Sequence, residues 1–476
     1  MTIVQYPLYL ANKSVSQPQK LTVYNKHTGS PIAEVSLADQ KIIEEAIQQA
    51  VKATTLMQKL PAFERKEILE HCALQFIRRI AELINVLIEE GGKTYTDAKR
   101  EVTRLIGTFQ VAAGEATRIV GEILPLDIGP NSVDYQGFWK RVPIGPCLFI
   151  TPFNFPLNLP AHKIAPAIAA GCPFILKPAS VTPISAVLLG EILSETSLPM
   201  GAFSILPCSA QDAERLVTDS RLKLLSFTGS GEVGWKLKEK AGKKPVILEL
   251  GGNAACVVDD NVNEDHIIER LVFGSFYQAG QSCISVQRIY IQKAIYDTIK
   301  EKLLIKIKEL KEGNPTDKDV FISPLISEKD AIRVKEWIEH AMSKGAKLLC
   351  GGERKGAVIT PALLENVPLD EKLNCEEVFG PVAILYSYDD FDEALNQVNN
   401  TKYGLQAGVF THNLDKAFKA WEKLEVGGVM INEVPSWRSD NMPYGGTKES
   451  GLGREGVRFA IEHLTEIKLM VINLKK

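Results

Sequence analysis

Between residues 142 and 250 the chain alternates short apolar runs with helix-like stretches, and this alternation constrains the fold more than any other feature. Cys147 to Ile150, Pro173 to Leu176, Phe203 to Leu206, Leu224 to Phe227 and Val246 to Leu250 read as strands. Pro156 to Ala170, Ile184 to Ser194 and the segment after Gly229-Ser230 read as the helices between them. Apolar runs of this length, without polar alternation, suit strands buried on both faces. A parallel sheet covered by helices is therefore predicted. Such a sheet binds ligands beyond the carboxyl ends of its strands.

A second alternating region starts near Ala254, with strands at Ile289 to Ile291, Val382 to Tyr386 and Val429 to Asn432 and helices at 296–311 and 328–344. The first part of the chain reads as helical. Ile42, Ile43, Ala46, Ile47, Ala50 and Val51 recur at helix spacing, as do apolar residues from Ile68 to Ile88, where Gly91-Gly92 ends the pattern. Two strand-like segments, 131–142 and Ile467 to Ile472, have no evident partner in a doubly wound sheet. An exposed strand edge of this kind invites pairing with another subunit.

A chain of 476 residues is too long for one ordinary core, so two or three domains are expected. Net charge is -3 with no basic block, which argues against nucleic acid or a membrane surface as partner. No apolar run approaches the roughly eighteen residues of a membrane span, and Met1 to Leu10 lacks a basic-then-apolar signal pattern. The eight cysteines, Cys72, Cys147, Cys172, Cys208, Cys256, Cys283, Cys350 and Cys375, are scattered, so free thiols and a cytoplasmic location are expected. The seven histidines form no HxH or HExxH pattern, and no metal site is expected.

The chemistry is concentrated in a few motifs. Gly280-Gln281-Ser282-Cys283 places a thiol among small and polar neighbours, downstream of Leu248-Glu249-Leu250-Gly251-Gly252 at a strand end. A cysteine that attacks a carbonyl and a carboxylate that activates water are complementary parts of covalent catalysis. The other seven cysteines are read as structural. Ile150-Thr151-Pro152-Phe153-Asn154-Phe155-Pro156 follows one strand, Leu176-Lys177-Pro178-Ala179-Ser180 the next, and Phe227-Thr228-Gly229-Ser230 opens a helix whose N-terminal amides suit a pyrophosphate. Glu376-Glu377-Val378-Phe379-Gly380-Pro381 and Pro443-Tyr444-Gly445-Gly446, with Lys448, Ser450 and Gly451, follow.

In this order and spacing the set resembles the aldehyde dehydrogenase superfamily over nearly the whole chain, with lactaldehyde, phosphonoacetaldehyde and non-phosphorylating glyceraldehyde-3-phosphate dehydrogenases as the subfamilies most like it. The resemblance implies an α/β fold with a Rossmann-like NAD(P)-binding domain at 1–122 and 142–250 and an α/β catalytic domain at 251–450. It further implies a small β oligomerisation flap at 123–141 and 451–476, in a homodimer or homotetramer. The orphan strands suit the flap. By the same resemblance Cys283 is the nucleophile, Glu249 the base that hydrolyses the thioester, and Asn154 an oxyanion donor alongside the Cys283 amide. NAD or NADP is expected against Ile150, Thr151, Pro152, Phe153, Lys177, Ser180, Gly229, Ser230, Leu250, Gly251, Glu377 and Phe379. Many NAD-specific members carry glutamate where this chain has Ser180; serine removes the charge repulsion with a 2′-phosphate and so permits NADP.

The expected substrate is a short polar aldehyde, hydroxylated or anionic, with Arg104, His162 and Arg438 as candidate contacts. Each of these has an ordinary alternative: salt bridges for the arginines, helix packing for His162. Three rival activities are a coenzyme A-acylating dehydrogenase, which would lack Glu249, a cysteine hydrolase, which would pair its thiol with histidine, and a non-catalytic binding protein, which would shed Cys283, Glu249 or Asn154.

Overall fold

The structure, a computed structural model, describes residues 3–475. Its first sheet has eight strands, in the order Gly451–Leu452, Val246–Glu249, Leu224–Thr228, Cys147–Ile150, Phe174–Lys177, Phe203–Ile205, Leu8–Leu10 and Lys13–Val15. The middle five are parallel. They are buried on both faces, which is why each is a continuous apolar run rather than an alternating one. Strand order reverses between Cys147–Ile150 and Leu224–Thr228, and the crevice at such a switch point is where an open α/β sheet takes its ligand.

The second sheet has seven strands, ordered Lys347–Cys350, Ala362–Glu365, Val382–Tyr388, Val286–Gln292, Ala254–Val258, Gln406–Phe410 and Gly428–Ile431, all parallel except the first. The two orphan segments pair with each other: Thr465–Asn473 runs antiparallel to Tyr135–Pro143, from Thr465 opposite Pro143 to Asn473 opposite Tyr135, and Glu122–Pro125 adds a third strand.

Two sequence expectations need correction. The chain before the first helix is not helical: it holds five strands of three to six residues, too short to display a period. The single apolar pattern from Ile68 to Ile88 is two helices, Ala62–Arg78 and Ile80–Gly91, broken at Arg79 (φ -100°, ψ 18°), because a kink that preserves the facing side leaves no trace in the spacing. The predicted terminator holds, with Gly92 left-handed at φ 69°.

Helix ends explain how the site is positioned. Thr94 caps helix Tyr95–Ala116, accepting from the Asp97 N–H. That helix carries Glu101, whose carboxylate accepts from the Leu157 and Asn158 N–H groups (2.8 and 3.1 Å) at the start of helix Asn158–Ala170. Helix Asn158–Ala170 is buried along its whole length and has no side-chain cap of its own, so Glu101 supplies the missing acceptor from a neighbouring element. The turn bearing Asn154 is thereby tied to the helix bearing Arg104.

Candidate active site

A cavity of about 540 Å³ opens where the carboxyl ends of the first sheet face the second sheet. Cys283, Glu249 and Asn154, far apart in sequence, all line it. So do Pro152, Phe153, Gly229, Ser230, Leu250, Gly251, Glu377 and Phe379, together with Arg104 and Arg438. Ile150, Thr151 and Lys177 sit at strand ends without lining it, and Ser180 is exposed beyond them. His162 is placed differently from the expectation. Its side chain is fully buried behind the cavity wall, with Nε2 2.9 Å from Asp440 Oδ1, so it touches a carboxylate rather than the cavity. Burial, then the nearby Arg438 charge, pushes its imidazole down to about 4.

The nucleophile's loop is conformationally unusual. Gln278, Ala279 and Gly280 follow one another at φ 50°, 51° and 69°, in the left-handed region that costs residues with a Cβ. Gly280 is required for a second reason, since an added Cβ would lie 2.1 Å from the Gly380 carbonyl oxygen. Tertiary bonds at Gln278 hold the turn: its N–H donates to Asp97 Oδ2 (3.0 Å), its Oε1 accepts from Lys93, and its Nε2 donates to the Asn154 carbonyl. Lys93 is itself paired with Glu101 at 2.8 Å. One buried network thus joins the loop of Cys283 to the turn of Asn154. The Asn154 amide donates to the Gln281 carbonyl at 3.1 Å, adjacent to the thiol, while its Oδ1 is buried without a partner.

Burial pushes the Cys283 thiol up to about 12; Tyr444 opposes this through a hydrogen bond, Glu377 and Glu249 add to it, and Arg438 counters them. Both Glu249 carboxyl oxygens are buried without a hydrogen-bond partner. Its proton is held well above the usual carboxylate range by burial, then by the charge of Glu455. Burial works against the charge of Glu455 also, but Lys163 (2.7 Å) and Arg438 (3.4 Å) hold it ionised. Two neighbouring carboxyls with opposed tendencies suit a base that takes up and returns a proton.

Four guanidinium groups border the cavity on the side of Arg104. Arg104 pairs with Asp440 at 2.7 Å, Arg270 with Glu433 at 2.7 Å, Arg438 with Glu455, and Arg100 only loosely with Asp97 at 3.6 Å. Arg438 Nε is buried and unpartnered, a donor available to an anion. At the other end Phe153 and Phe379 meet edge to face at 5.8 Å. Glu377, pushed up to about 7 by burial, accepts from the Gly252 N–H at 3.0 Å. Ser230 starts helix Gly231–Lys240 without capping it through its side chain, and Thr228 Oγ1 is buried with no partner. Uncapped helix amides, an orphan hydroxyl and a carboxylate with spare acceptor capacity, all at the switch point, fit the pyrophosphate and ribose of a dinucleotide.

Tyr444, Lys163, Glu455, Lys93, Glu101 and Gln278 were not singled out by sequence reasoning. Tyr444 sat inside the Pro443-Tyr444-Gly445-Gly446 motif and Glu101 opened the Glu101-Val102-Thr103-Arg104 segment of the Arg104 candidate, neither with a role; Lys163, Glu455, Lys93 and Gln278 are buried polar residues that meet only through the fold.

Comparison with known proteins places this geometry. A sequence model described as the aldehyde dehydrogenase family matches residues 13–470. The 3-sulfolactaldehyde dehydrogenase of Priestia aryabhattai is 41% identical over 473 residues, covering 99% of each chain. The crystal structure of aldehyde dehydrogenase 21 from Physcomitrella patens, in complex with the reaction product succinate, superposes with a TM-score of 0.98 at 50% identity, covering 100% of this chain and 99% of that one. Glyceraldehyde-3-phosphate dehydrogenase GapN from Methanocaldococcus jannaschii, complexed with NADP, superposes with a TM-score of 0.92 at 37% identity, covering 96% of this chain and 100% of that one.

Proposed function

This chain belongs to the aldehyde dehydrogenase family, and on that premise we propose that it oxidises a short aldehyde bearing a hydroxyl or an anionic group to the carboxylic acid, through a covalent intermediate on Cys283. It is an NAD(P)-dependent oxidoreductase, and either coenzyme is compatible with Ser180. Pro152, Phe153, Gly229, Ser230, Leu250, Gly251, Glu377 and Phe379 would line its seat, with Ile150, Thr151, Lys177 and Ser180 at the adjoining strand ends. Bound there, a nicotinamide coenzyme would supply the acceptor for the hydride that the substrate carbon loses.

The chain's own residues do the rest. Cys283 Sγ adds to the aldehyde carbon, and the carbonyl electrons move onto oxygen. The Asn154 amide and the Cys283 N–H stabilise that oxyanion, the Asn154 amide exchanging its bond to the Gln281 carbonyl for one to the substrate. Once the adduct has been oxidised to a thioester, Glu249 takes a proton from water, the hydroxide attacks, and the C–S bond breaks to release acid and thiolate. The unpartnered carboxyl of Glu249 supports this assignment, because no protein donor competes with the water. The guanidinium-rich wall supports a carboxylate, sulfonate or phosphate at the far end of the substrate, with Arg104 and Arg438 as its contacts. The names of the relatives, sulfolactaldehyde dehydrogenase among them, support the same class.

All eight cysteines are free, which supports a reducing cytoplasm, and no described helix is long and apolar enough to cross a membrane. A homodimer or homotetramer formed through the Thr465–Asn473 strand is part of the proposal.

The observation that carries this reading is the convergence of Cys283, Glu249 and Asn154 on one cavity. It is tested with short aldehydes (lactaldehyde, succinic semialdehyde, glyceraldehyde 3-phosphate, phosphonoacetaldehyde) assayed with both coenzymes, with product analysis for free acid. Coenzyme reduction by a Cys283→Ala protein at the natural rate would overturn the mechanism. A preference for long alkanals would overturn the substrate class.

A further inference from the structure

The sulfur of Cys283 makes one side-chain hydrogen bond among the described residues, to the Tyr444 hydroxyl at 2.9 Å, and that hydroxyl has no other partner. We propose that Tyr444 is a hydrogen-bond donor to the nucleophile, orienting the sulfur and stabilising its negative charge both when it attacks and when it leaves. The proposal rests on Cys283 being the nucleophile and adds a residue that the reading above does not need.

A thiolate can only accept, and a phenol hydroxyl is its natural donor. A buried hydroxyl without a partner is costly, and this one has its bond on the reacting atom alone. Its surroundings favour donation. The Arg438 guanidinium lies 3.7 Å from the centroid of the Tyr444 ring, and a cation against the ring draws electron density from the hydroxyl. The backbone is fixed by a bridge to Glu455, the Tyr444 N–H donating to the Glu455 carbonyl at 3.0 Å and the Glu455 N–H returning a bond at 2.6 Å. Ile284 and Leu405 pack around the ring. At the next residue, Gly445, an added Cβ would lie 2.9 Å from Glu249 Oε1, so one turn of chain touches both nucleophile and base. The charged groups felt by the sulfur are Glu377 and Glu249, which oppose its ionisation, and Arg438, which favours it.

Phenylalanine would fill the same volume under Arg438, so the hydroxyl is what the tyrosine adds. The proton balance is simple. The thiol proton leaves to solvent before attack, Tyr444 keeps its own proton throughout, and Sγ uses its electron pair to form the C–S bond. On hydrolysis that pair returns to Sγ, again as a thiolate facing the phenol.

The test reads alkylation of Cys283 by iodoacetamide, resolved by peptide mass spectrometry, against pH. Tyr444→Phe is expected to move the profile upward by about one to two pH units and to slow alkylation at pH 8 by about tenfold or more. Cys350 and Cys375 should react as before. The kcat/KM for aldehyde should fall by a similar factor, with the gap to the natural enzyme closing at high pH. Site-specific 3-fluorotyrosine at 444, a stronger donor, should move the profile the other way. An unchanged Cys283 profile in a Tyr444→Phe protein of natural melting temperature overturns the proposal. Should that variant fail to fold, an unshifted fluorotyrosine protein overturns it instead. Neither result depends on turnover, so a Cys283→Ala protein that still oxidises aldehyde would defeat the mechanism without being mistaken for this.

Discussion

Asn154 and Glu249 act at different moments of the proposed reaction, so their loss should separate kinetically. Removing an oxyanion donor leaves substrate binding intact and raises the barrier to attack. Asn154→Ala should lower kcat by about 100- to 1000-fold with KM little changed, measured by steady-state coenzyme reduction. Glu249→Gln should still form the thioester, then stall. Rapid mixing should give a burst of reduced coenzyme close to one per site, followed by slow turnover, and a natural-like steady rate without a burst would refute the role of Glu249. The sign of the pH effect follows from burial and from Glu455, both of which raise the Glu249 proton affinity. The base form is lost as pH falls through a value well above the ordinary carboxylate range, so the deacylation rate should rise with pH through that raised value. Asn154, Glu249 and Cys283 were legible as candidates because each sits in a local motif at a strand end or beside glycine. Tyr444 was not, since nothing local tells a packing aromatic from a hydrogen-bond donor to a sulfur 161 residues away.

Among the elements, helix Ile184–Ser194 shows how tertiary structure supplies what local sequence omits. It begins after Pro183 with no side-chain cap, and Glu90, at the end of another helix, accepts from the Ile184 and Ser185 N–H groups, both at 2.8 Å, and from the Ser185 hydroxyl. Glu90→Ala would strand three buried donors and should destabilise the protein by about 2–4 kcal/mol, with Glu90→Gln recovering part of it in urea unfolding. The same contrast divides what could be read from what could not. The five central strands were visible because burial on both faces leaves continuous apolar runs bounded by turn residues. The N-terminal strands were invisible, being short and held by pairing such as Val4 with Ala33 rather than by any pattern of their own. The left-handed turn before Cys283 was not read from the sequence, where Gly280 stood only as a small neighbour of the thiol. Gln278 and Ala279 carry no preference for positive φ, and bonds from Lys93 and Asp97 impose it.

For the whole molecule, the exposed flap strand is the feature that a lone chain leaves unexplained. Thr465–Asn473 lies at the edge of its sheet, paired on one side only, with a backbone edge nine residues long open on the other. Its side chains alternate between two faces and are apolar on both: Ile467, Leu469 and Val471 are 61%, 52% and 49% exposed, and Met470 on the opposite face is 56% exposed. A monomer would present this surface to water and to any passing edge, so burial against a second copy is the expected state. Leu469→Glu with Val471→Glu places charges on that face while keeping the pairing to Tyr135–Pro143, in which Leu469 stands opposite Trp139. Light scattering after size exclusion should find the natural protein as a dimer or tetramer and the double variant shifted toward monomer. Among the described residues none of this three-stranded sheet lines the cavity, so alkylation of Cys283 should proceed at the natural rate in the dissociated form. A natural protein that is monomeric at micromolar concentration, or a double variant that remains fully assembled, would assign the exposed strand to something other than self-association.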